Sequence, residues 1–557
     1  MTSVDFERTP ESTFEKDEKQ VSFASYYKEK YQLTITQPDQ PLLVHKDQRT
    51  NRETFLIPEF CAMTGLTDAM RANFRLMKDL GQITHTDAQR KVAECRNLFE
   101  QFEKNEKCKK KMEEWQLRFK PQPVAIDGYK FDAGKILMGS KGASRIMFDI
   151  ESAGRDMDRK VQDKMYEQPE FKTWGIFYPE RDEKVAKDFY ATIEKCLQQF
   201  GFTYAKPALF KLQGNPQRFD TWEKSLRANL RPGVQAIVLL MPGQKTKCPV
   251  YDDLKRTLLS EIPVVSQGVL INTIAKGKNI RSIVNSILIQ MCAKIGGVPW
   301  AVDALPFMNE PTMVCGLDVF HSTALGKKSV MGFCASSNST ATQYWSTSKV
   351  HDDVGEEMSK ELGQVMLKAI ENFKKANAGT PPKNIILYRD GVGEGQAQAV
   401  CSVEMAQINQ AIAASGAQSK VVYLNVNKRI NTRIFAGGAN ANEFKNPLPG
   451  TVIDQGITER DLYEFFLVST SAKQGLAAPT RYSILYDSTG EAPDKIELLT
   501  YKLCYTYYNV SGSIKVPAPI QYAHRLAALI GERGGRNVAP PKVHEAYESK
   551  EGSLYFI

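Results

Sequence analysis

The chain has 557 residues, 42% of them hydrophobic and 25% charged, and this composition predicts three or four globular domains rather than one. A formal net charge of +9 favours a polyanionic partner such as nucleic acid. The ten cysteines include no C-x-x-C pair, which argues against a disulfide framework or a zinc site. With no signal peptide and no apolar run of membrane-spanning length, we expect a soluble cytoplasmic or nuclear protein without membrane contact.

The N-terminal quarter of the chain contains few elements that could form a core. The first 46 residues show one short helix, Ser22–Lys30, and one strand, Gln32–Thr36, which is too little to bury a core unaided. The following region, up to residue 135, is charged and has apolar residues at helical spacing in Thr67–Asp79 and Thr86–Phe102. We interpret it as a helical linker whose basic run, Lys107–Lys111, is a solvated helix face.

Residues 136–300 alternate between apolar strands and amphipathic helices, the pattern of a parallel, Rossmann-like sheet. The predicted elements are the strands Trp174–Tyr178, Ala236–Met241 and Pro263–Val265 and the helices Asp182–Phe200, Tyr251–Leu259 and Asn279–Lys294. No G-x-G-x-x-G or Walker motif is present, which argues against nucleoside-phosphate binding of those types.

The same region carries polar residues suited to a terminal phosphate. Residues four apart share a helix face, and Lys, Tyr and Gln side chains are appropriate donors to a phosphate monoester. The candidates are Tyr251 with Lys255, Gln267, and Gln290 with Lys294. On spacing alone, ordinary exposed side chains remain the simpler interpretation.

The last region, from residue 301, predicts a third α/β unit. Three strands, a long helix and a fourth strand follow one another: Met313–Phe320, Val330–Ser336, Gln343–Ser348, Glu356–Lys375 and Ile385–Asp390. This is the order of a ribonuclease H-like sheet, in which the first and fourth strands lie side by side. The order therefore predicts that Asp318 and Asp390 come together.

The stretch Tyr388–Gln396 ends a buried strand, turns through three glycines and opens the predicted helix Ala397–Ala414. An aspartate there, Asp390, is more often a helix cap than a catalyst. A second carboxylate beside it changes this interpretation, because two facing carboxylates are most easily stabilised by divalent cations. Two such ions could bind a scissile phosphate and activate water.

Further ligands would complete such a metal site. Among six histidines, His524 is the candidate, since it is predicted to start a helix after a proline-rich turn. The third acid remains open among five residues: Asp352, Asp353, Glu356, Glu357 and Glu361.

The chain resembles a Piwi-clade Argonaute in a series of ordered motifs. They are Gly316–His321, Tyr388–Gln396, Lys428–Arg433, Pro449–Val452, Leu499–Cys504, Pro517–Ala527 and the terminal Leu554–Ile557. The resemblance continues upstream to Ser22–Tyr27 and Gln40–Leu43, which are similar to the end of a PAZ domain. It implies a PAZ remnant (1–46), a helical linker (47–135), a Rossmann-like MID domain (136–300) and a ribonuclease H-like PIWI domain (301–557).

The resemblance also implies a function and a catalytic set. Family members hold a small guide RNA and, with an intact tetrad, cleave a paired target RNA using Mg²⁺ or Mn²⁺. The tetrad positions match Asp318, Glu357, Asp390 and His524, with Asp318, Asp390 and His524 matched directly as metal ligands. Glu357 is chosen by its Glu-x-x-x-Glu-Leu context. We expect a monomer that works with silencing accessory proteins.

By the same resemblance, the guide 5′-phosphate pocket consists of Tyr251, Lys255, Gln267 and Lys294. Piwi-clade proteins add a metal ion between the guide phosphate, a glutamine and the C-terminal carboxylate, matched here by Gln290 and Ile557. Three basic residues, Lys428, Arg429 and Arg433, would contact guide backbone phosphates.

Two other functions stay open at this point. A guide-binding platform that recruits partners without cutting would use the same pocket and not the tetrad. A two-domain metabolic α/β enzyme has no cofactor motif in its favour.

Overall fold

The computed structural model describes residues 3–16, 19–46, 53–62, 65–67, 70–71, 73–120, 122–139, 146–150, 157–243, 248, 250–275, 279–322, 328–351, 361–438, 440, 442–472, 474–532, 541–550 and 552–557. The chain forms two compact units, Met1–His85 and Thr86–Ile557. None of the helices in these ranges is both long and apolar enough to cross a membrane.

The first unit is a small mixed domain with a core of its own. Its elements are β1 (Ser3–Asp5), β2 (Thr13–Lys16), β3 (Lys19–Ser22), α1 (Phe23–Tyr31), β4 (Leu42–Lys46), β5 (Glu53–Leu56) and α2 (Phe74–Thr84). Strands β1, β4 and β5 form one sheet and β2–β3 a hairpin. Phe23 and Leu42 pack with Ile57, so the core is completed by residues beyond position 46.

One prediction in this unit is wrong. The segment predicted as the strand Gln32–Thr36 has no strand, because Gln32 ends α1 in a left-handed conformation (φ 57°) and turns the chain away. The backbone N–H of Thr36 instead donates to the Glu59 carboxylate. The predicted helix start at Thr67 has the expected cap, since Thr67 Oγ1 accepts from Met70 N–H and Met70 and Arg71 are helical. Within the predicted range a new helix, α2, begins at Phe74, where the Asn73 side chain accepts from Leu76 N–H.

The second unit opens with two charged helices, α3 (Ala88–Lys104) and α4 (Glu106–Glu114), capped by Asp87 and Asn105. The lysines of the basic run lie exposed on α4, as predicted. Short elements then lead into the α/β region: β6 (Tyr129–Lys130), β7 (Lys135–Met138), β8 (Ile146–Asp149) and α5 (Met157–Lys160).

A four-stranded parallel sheet, in the order β10-β9-β11-β12, confirms the Rossmann-like expectation. Its elements are β9 (Trp174–Pro179), α6 (Glu183–Phe200), β10 (Ala208–Leu212), α7 (Phe219–Asn229), β11 (Ala236–Met241), α8 (Tyr251–Ser260), β12 (Val265–Leu270), α9 (Ile271–Ala275) and α10 (Ile280–Lys294). The predicted strand at Pro263–Val265 begins later, so Gln267 lies inside β12 rather than after a strand.

The largest sheet has nine strands in the order β16-β15-β14-β17-β18-β23-β22-β21-β6. Its elements and their neighbours are β13 (Ala301–Val302), β14 (Thr312–His321), β15 (Ser329–Ser336), β16 (Tyr344–His351), α11 (Leu362–Ala376), β17 (Asn384–Asp390), α12 (Glu394–Ala414), β18 (Lys420–Asn427), β19 (Ala436–Gly437), β20 (Phe444–Lys445), β21 (Thr451–Ile453), β22 (Tyr463–Val468), β23 (Thr480–Asp487), α13 (Pro493–Leu503), α14 (Ala518–Glu532) and α15 (Glu545–Glu548). Strands β14, β15 and β16 are antiparallel neighbours, and β17 joins β14 in parallel. The predicted ribonuclease H-like order is confirmed.

Helix α14 lies directly on this sheet because two strand positions have no side chain. A Cβ at Gly316 would come within 2.2 Å of the Pro519 backbone, and one at Gly332 within 2.1 Å of the Ala523 carbonyl oxygen. Any larger residue would push the helix away. His524 therefore sits in the middle of α14, not at a helix start as predicted, and is presented to the strand that carries Asp318.

Candidate functional site

Two aspartates end up side by side because β14 and β17 are parallel neighbours. The register pairs Leu317 with Arg389, so Asp318 and Asp390 follow at the next position of each strand. Both side chains are buried, with Asp318 6% and Asp390 2% exposed. Gly391 turns the chain with φ +87°, and a Cβ there would lie 3.8 Å from Asp318 Oδ1. The end of β17 and the adjoining part of β14 thus form a cradle with two carboxylates, which come together as the sequence predicted.

His524 joins this pair from the helix above. Its Nδ1 lies 2.6 Å from Asp318 Oδ2, a hydrogen-bond distance, and the ring is about one-third exposed. The close packing of α14 on Gly316 and Gly332 fixes this geometry. An imidazole and two carboxylates therefore come from three separate segments of the chain.

Lys428 completes the immediate charge balance of the cradle. Its Nζ donates to Asp390 Oδ2, so the ammonium lies directly on the carboxylate. Burial and the neighbouring Asp318 charge raise the pKa of Asp390, whereas Lys428 lowers it. Sequence reasoning assigned Lys428 to RNA backbone phosphates and did not foresee this contact.

Behind Asp390 lies a buried charged cluster that sequence reasoning also missed. The Arg389 guanidinium donates to the Asp390 carbonyl oxygen at 2.5 Å and to Glu404 Oε1 at 3.3 Å. The Tyr423 hydroxyl donates to Glu404 Oε2 at 2.7 Å. These contacts fix the backbone that carries Asp390. Two sequence features could have indicated this cluster. They are the charged Arg389 within an apolar strand and Glu404 on the apolar face of α12.

The carboxylate cradle opens into a cavity of about 870 Å³. Basic side chains line its other walls, namely Lys428, Arg429 and Arg481. Arg481 is held by carboxylates, including Glu459 at 2.9 Å and Glu464 at 2.6 Å. A cavity with acidic groups at its floor and basic groups at its walls suits a cation and an anionic polymer together.

A second cluster lies at the edge of the Rossmann-like sheet. Lys255 donates to Ser266 Oγ at 2.8 Å, and Lys294 donates to the Ser266 carbonyl at 3.1 Å and to Gln267 Oε1 at 2.8 Å. Both lysines are buried, with 7% and 3% exposed. Burial, then the charges of Lys255 and Arg525, hold the pKa of Lys294 well below its usual range. We call Lys255, Ser266, Gln267 and Lys294 the lysine pocket.

The lysine pocket overturns the simpler interpretation of exposed side chains. Tyr251, which lies one turn before Lys255 on α8, places its ring centroid 6.0 Å from Lys255 Nζ. Lys255 and Lys294 both donate to Ser266, so two buried lysine side chains lie together at one point. An anion with several acceptor oxygens could accept from both of them.

Comparisons with known families identify the domains to which these residues belong. A Piwi domain model matches residues 236–533, more than half of the chain, and a PAZ domain model matches residues 1–87. The chain belongs to the Piwi family. The Piwi domain match includes both aspartates of the cradle, His524 and the whole lysine pocket.

Individual Piwi relatives are similar along nearly the whole chain. The chain is 34% identical to "Piwi-like protein Ago3" of Bombyx mori, over 95% of its own length and 57% of the relative's. It is 32% identical to "Piwi-like protein 1" of Danio rerio, over 95% and 61%. The chain thus spans about three-fifths of the length of these relatives.

Solved structures of related proteins have the same fold. The chain superposes on the crystal structure of Drosophila Piwi with a TM-score of 0.75 and 26% identity, covering 100% of this chain and 71% of that one. A Kluyveromyces polysporus Argonaute solved with a guide RNA gives a TM-score of 0.69 at 21% identity, covering 96% and 64%. The second likeness concerns the fold alone.

The remaining residues of the predicted Piwi catalytic set are placed only in part. Glu357, like Asp352, Asp353 and Glu356, lies outside the described residues. Glu361 is described and pairs with Lys349 at 3.7 Å. Among the described residues, no three carboxylate, histidine or cysteine side chains converge as a complete metal cluster. Asp318 and Asp390 lie on neighbouring strands and His524 contacts Asp318, so the donor types that Mg²⁺ or Mn²⁺ accepts are near one another, and a further acid would complete the set.

Arg433, predicted to contact the guide backbone, and Gln290 and Ile557, predicted to hold the metal at the 5′-phosphate site, lie in separate surroundings. Arg433 donates to the carbonyls of Ile430 and Thr432, at 2.7 and 2.8 Å, and so braces its own loop. Gln290 donates to Asn509 at 2.6 Å. Ile557 lies near the end of α10, since Leu554 N–H donates to the Ala293 carbonyl, but no hydrogen bond joins it to Gln290 in the described part of the chain.

Proposed function

We propose that this Piwi-family chain binds a small guide RNA by its 5′ phosphate and cleaves complementary target RNA with divalent metal ions. The observation that carries the proposal is the cradle of Asp318, Asp390 and His524 at the floor of a basic cavity. Similarity to Piwi-like relatives along the chain supports the same assignment. The products would carry a 5′ phosphate and a 3′ hydroxyl.

Asp318, Asp390 and His524 would hold the metal, with Glu357 as the fourth ligand. When bound, such ions activate water and stabilise charge on the scissile phosphate. The chain's own contribution is to hold both carboxylates at fixed strand ends and to keep His524 on Asp318. Arg429 and Arg481 line the cavity and would position the phosphate backbone.

The lysine pocket would hold the guide's terminal phosphate. Lys255 and Lys294 already lie close together on Ser266, and a phosphate dianion offers both of them charged acceptor oxygens. Tyr251 and Gln267 would add neutral hydrogen bonds. Gln290 and Ile557 would hold a second metal ion there, which lets a carboxylate and a phosphate share one site.

Cleavage should be tested with a 5′-phosphorylated guide, a labelled complementary RNA and Mg²⁺. We expect a specific cut that the Asp390→Asn variant reduces by more than about a hundredfold. Asp461→Asn, an exposed aspartate outside the cavity, is the matched control and should cut normally. Guide-dependent cutting that survives Asp390→Asn would refute the assignment of this residue.

Guide binding is a separate test. The chain should bind a 5′-phosphorylated guide roughly tenfold or more tighter than the same guide with a 5′ hydroxyl, and Lys255→Met should remove the difference. Lys184→Met, an exposed lysine on α6, should not. Tight guide binding without any cutting would favour the alternative function, a silencing platform that recruits partners.

A further inference from the structure

The contact between Lys428 and Asp390 has a geometric origin in the sheet. Lys428 directly follows β18, and β18 lies parallel beside β17 with Val426 opposite Asp390. The lysine therefore emerges two residues beyond the aspartate and its side chain reaches back to Oδ2. The Asp390 side chain is 3% exposed, whereas Lys428 is 30% exposed and borders the open cavity.

Each carboxylate of the cradle has its own partner within the chain, and the partner of Asp390 is a cation. His524 contacts Asp318, and Lys428 contacts Asp390. A buried carboxylate without such a partner would be costly, and two neighbouring ones more so. The Lys428 ammonium thus supplies to Asp390 the positive charge that a metal ion would otherwise supply.

We infer that Lys428 acts as a built-in competitor of the metal ion, so that a divalent cation reaches Asp390 only when the lysine ammonium leaves it. The inference rests on the proposed function, since it assumes that Asp390 is a metal ligand. A lysine suits such an exchange because its charge lies at the end of four flexible methylenes. An arginine would form a more persistent, two-pronged contact.

The released ammonium would remain in the basic cavity. An RNA backbone there offers it a new anionic partner, so RNA binding lowers the free energy needed to vacate Asp390. By linkage, RNA should then strengthen metal binding and metal should strengthen RNA binding. Lys428 would serve both the predicted phosphate contact and the metal site, at different times.

Arg429 provides a matched control. It follows Lys428 in sequence, lines the same cavity and is exposed. It has no hydrogen bond or ion pair with Asp390 in the described part of the chain. Removing either residue changes the net charge of the cavity equally, but only Lys428 should affect the metal by direct competition.

The test measures Mn²⁺ binding without RNA, using the electron paramagnetic resonance signal of free Mn²⁺ to determine how much metal is unbound. The Mn²⁺ binding that wild type shows and Asp390→Asn lacks is binding at the cradle, which separates it from any second site. At the cradle, Lys428→Met should bind Mn²⁺ about tenfold tighter than wild type, and Arg429→Met less than about twofold tighter. Lys428→Arg should bind no tighter than wild type. Adding a complementary guide–target pair should tighten binding in wild type and less so in Lys428→Met.

Thermal melting confirms that each variant is folded, and Lys428→Gln replaces the methionine variant if that one is not. Equal Mn²⁺ affinities of wild type and the uncharged Lys428 variant would overturn the inference and leave the proposed function standing. The same tightening in Arg429→Met would also overturn it, because general charge would then explain the effect. Absence of any Asp390-dependent Mn²⁺ binding in all variants would overturn the metal site itself, and the inference with it.

Discussion

The carboxylate cradle and the lysine pocket balance charge in opposite ways. In the cradle, the Asp390 carboxylate is paired with the Lys428 ammonium, and Asp318 contacts the His524 imidazole. In the lysine pocket, Lys255 and Lys294 meet at Ser266, and Lys294 donates to the neutral oxygens of Ser266 and Gln267. The cradle thus brings a cation to a carboxylate, whereas the lysine pocket brings two lysines together.

The difference indicates how each region would take its ligand. A cation can enter the cradle only by exchange, because Lys428 must first leave Asp390. An anion can enter the lysine pocket by addition, because its charge would favour the protonated form of both lysines that meet there. Ligand binding should therefore stabilise the lysine pocket strongly and the cradle weakly. Variants in each region can test the two charge balances separately.

The largest effect is expected where a complete ion pair is broken. Arg389→Met leaves Glu404 buried with only the Tyr423 hydroxyl, which should destabilise the chain by about 3–5 kcal/mol. The double variant Arg389→Met/Glu404→Leu should recover most of this loss, because no buried charge then remains. Chemical denaturation of the three proteins measures both values. A double variant as unstable as the single one would show that packing rather than charge is responsible.

The next effect concerns the helix that delivers His524. Gly332→Ala would place a Cβ 2.1 Å from the Ala523 carbonyl oxygen, so α14 must move away from the sheet. We expect a loss of about 1–3 kcal/mol and a broken contact between His524 and Asp318. The matched control is Gly437→Ala, whose Cβ would meet nothing within 4 Å. Unchanged stability and cleavage in Gly332→Ala would mean that α14 is not held by this contact.

The cradle and its surroundings could be predicted from the sequence only in part. The strand order and motifs brought Asp318 and Asp390 together correctly, since register follows from strand pairing. His524 lies beside Asp318, but its delivery from the middle of α14 depends on contacts with Gly316 and Gly332 that are distant in sequence. The contacts of Lys428 with Asp390 and of Arg389 with Glu404 were missed, because side-chain partners depend on tertiary packing. Glu357 stays a prediction.

A smaller effect of opposite sign should appear in the lysine pocket. Lys294→Met removes a buried ammonium that repels Lys255, so the ligand-free chain should become more stable, on the order of 1 kcal/mol. The gain is limited, because Ser266 and Gln267 lose a donor. Chemical denaturation measures it, with Lys184→Met as a control that should change stability by less than about 0.5 kcal/mol. A clear destabilisation would show that Lys294 is already well compensated.

The smallest effect is a fractional proton taken up when phosphate binds. Because the folded-state pKa of Lys294 lies below the usual lysine value, its protonated form is disfavoured, and this group's contribution to stability rises as pH increases through the folded pKa. A bound phosphate dianion reverses the preference and should draw a proton onto Lys294.

At pH 8 the phosphate itself is already fully ionised, so titration calorimetry in two buffers of different ionisation enthalpy isolates this uptake. Binding of a 5′-phosphorylated oligonucleotide should give buffer-dependent heats in wild type and buffer-independent heats in Lys294→Met. Identical wild-type heats in both buffers would mean that Lys294 is charged before the phosphate arrives.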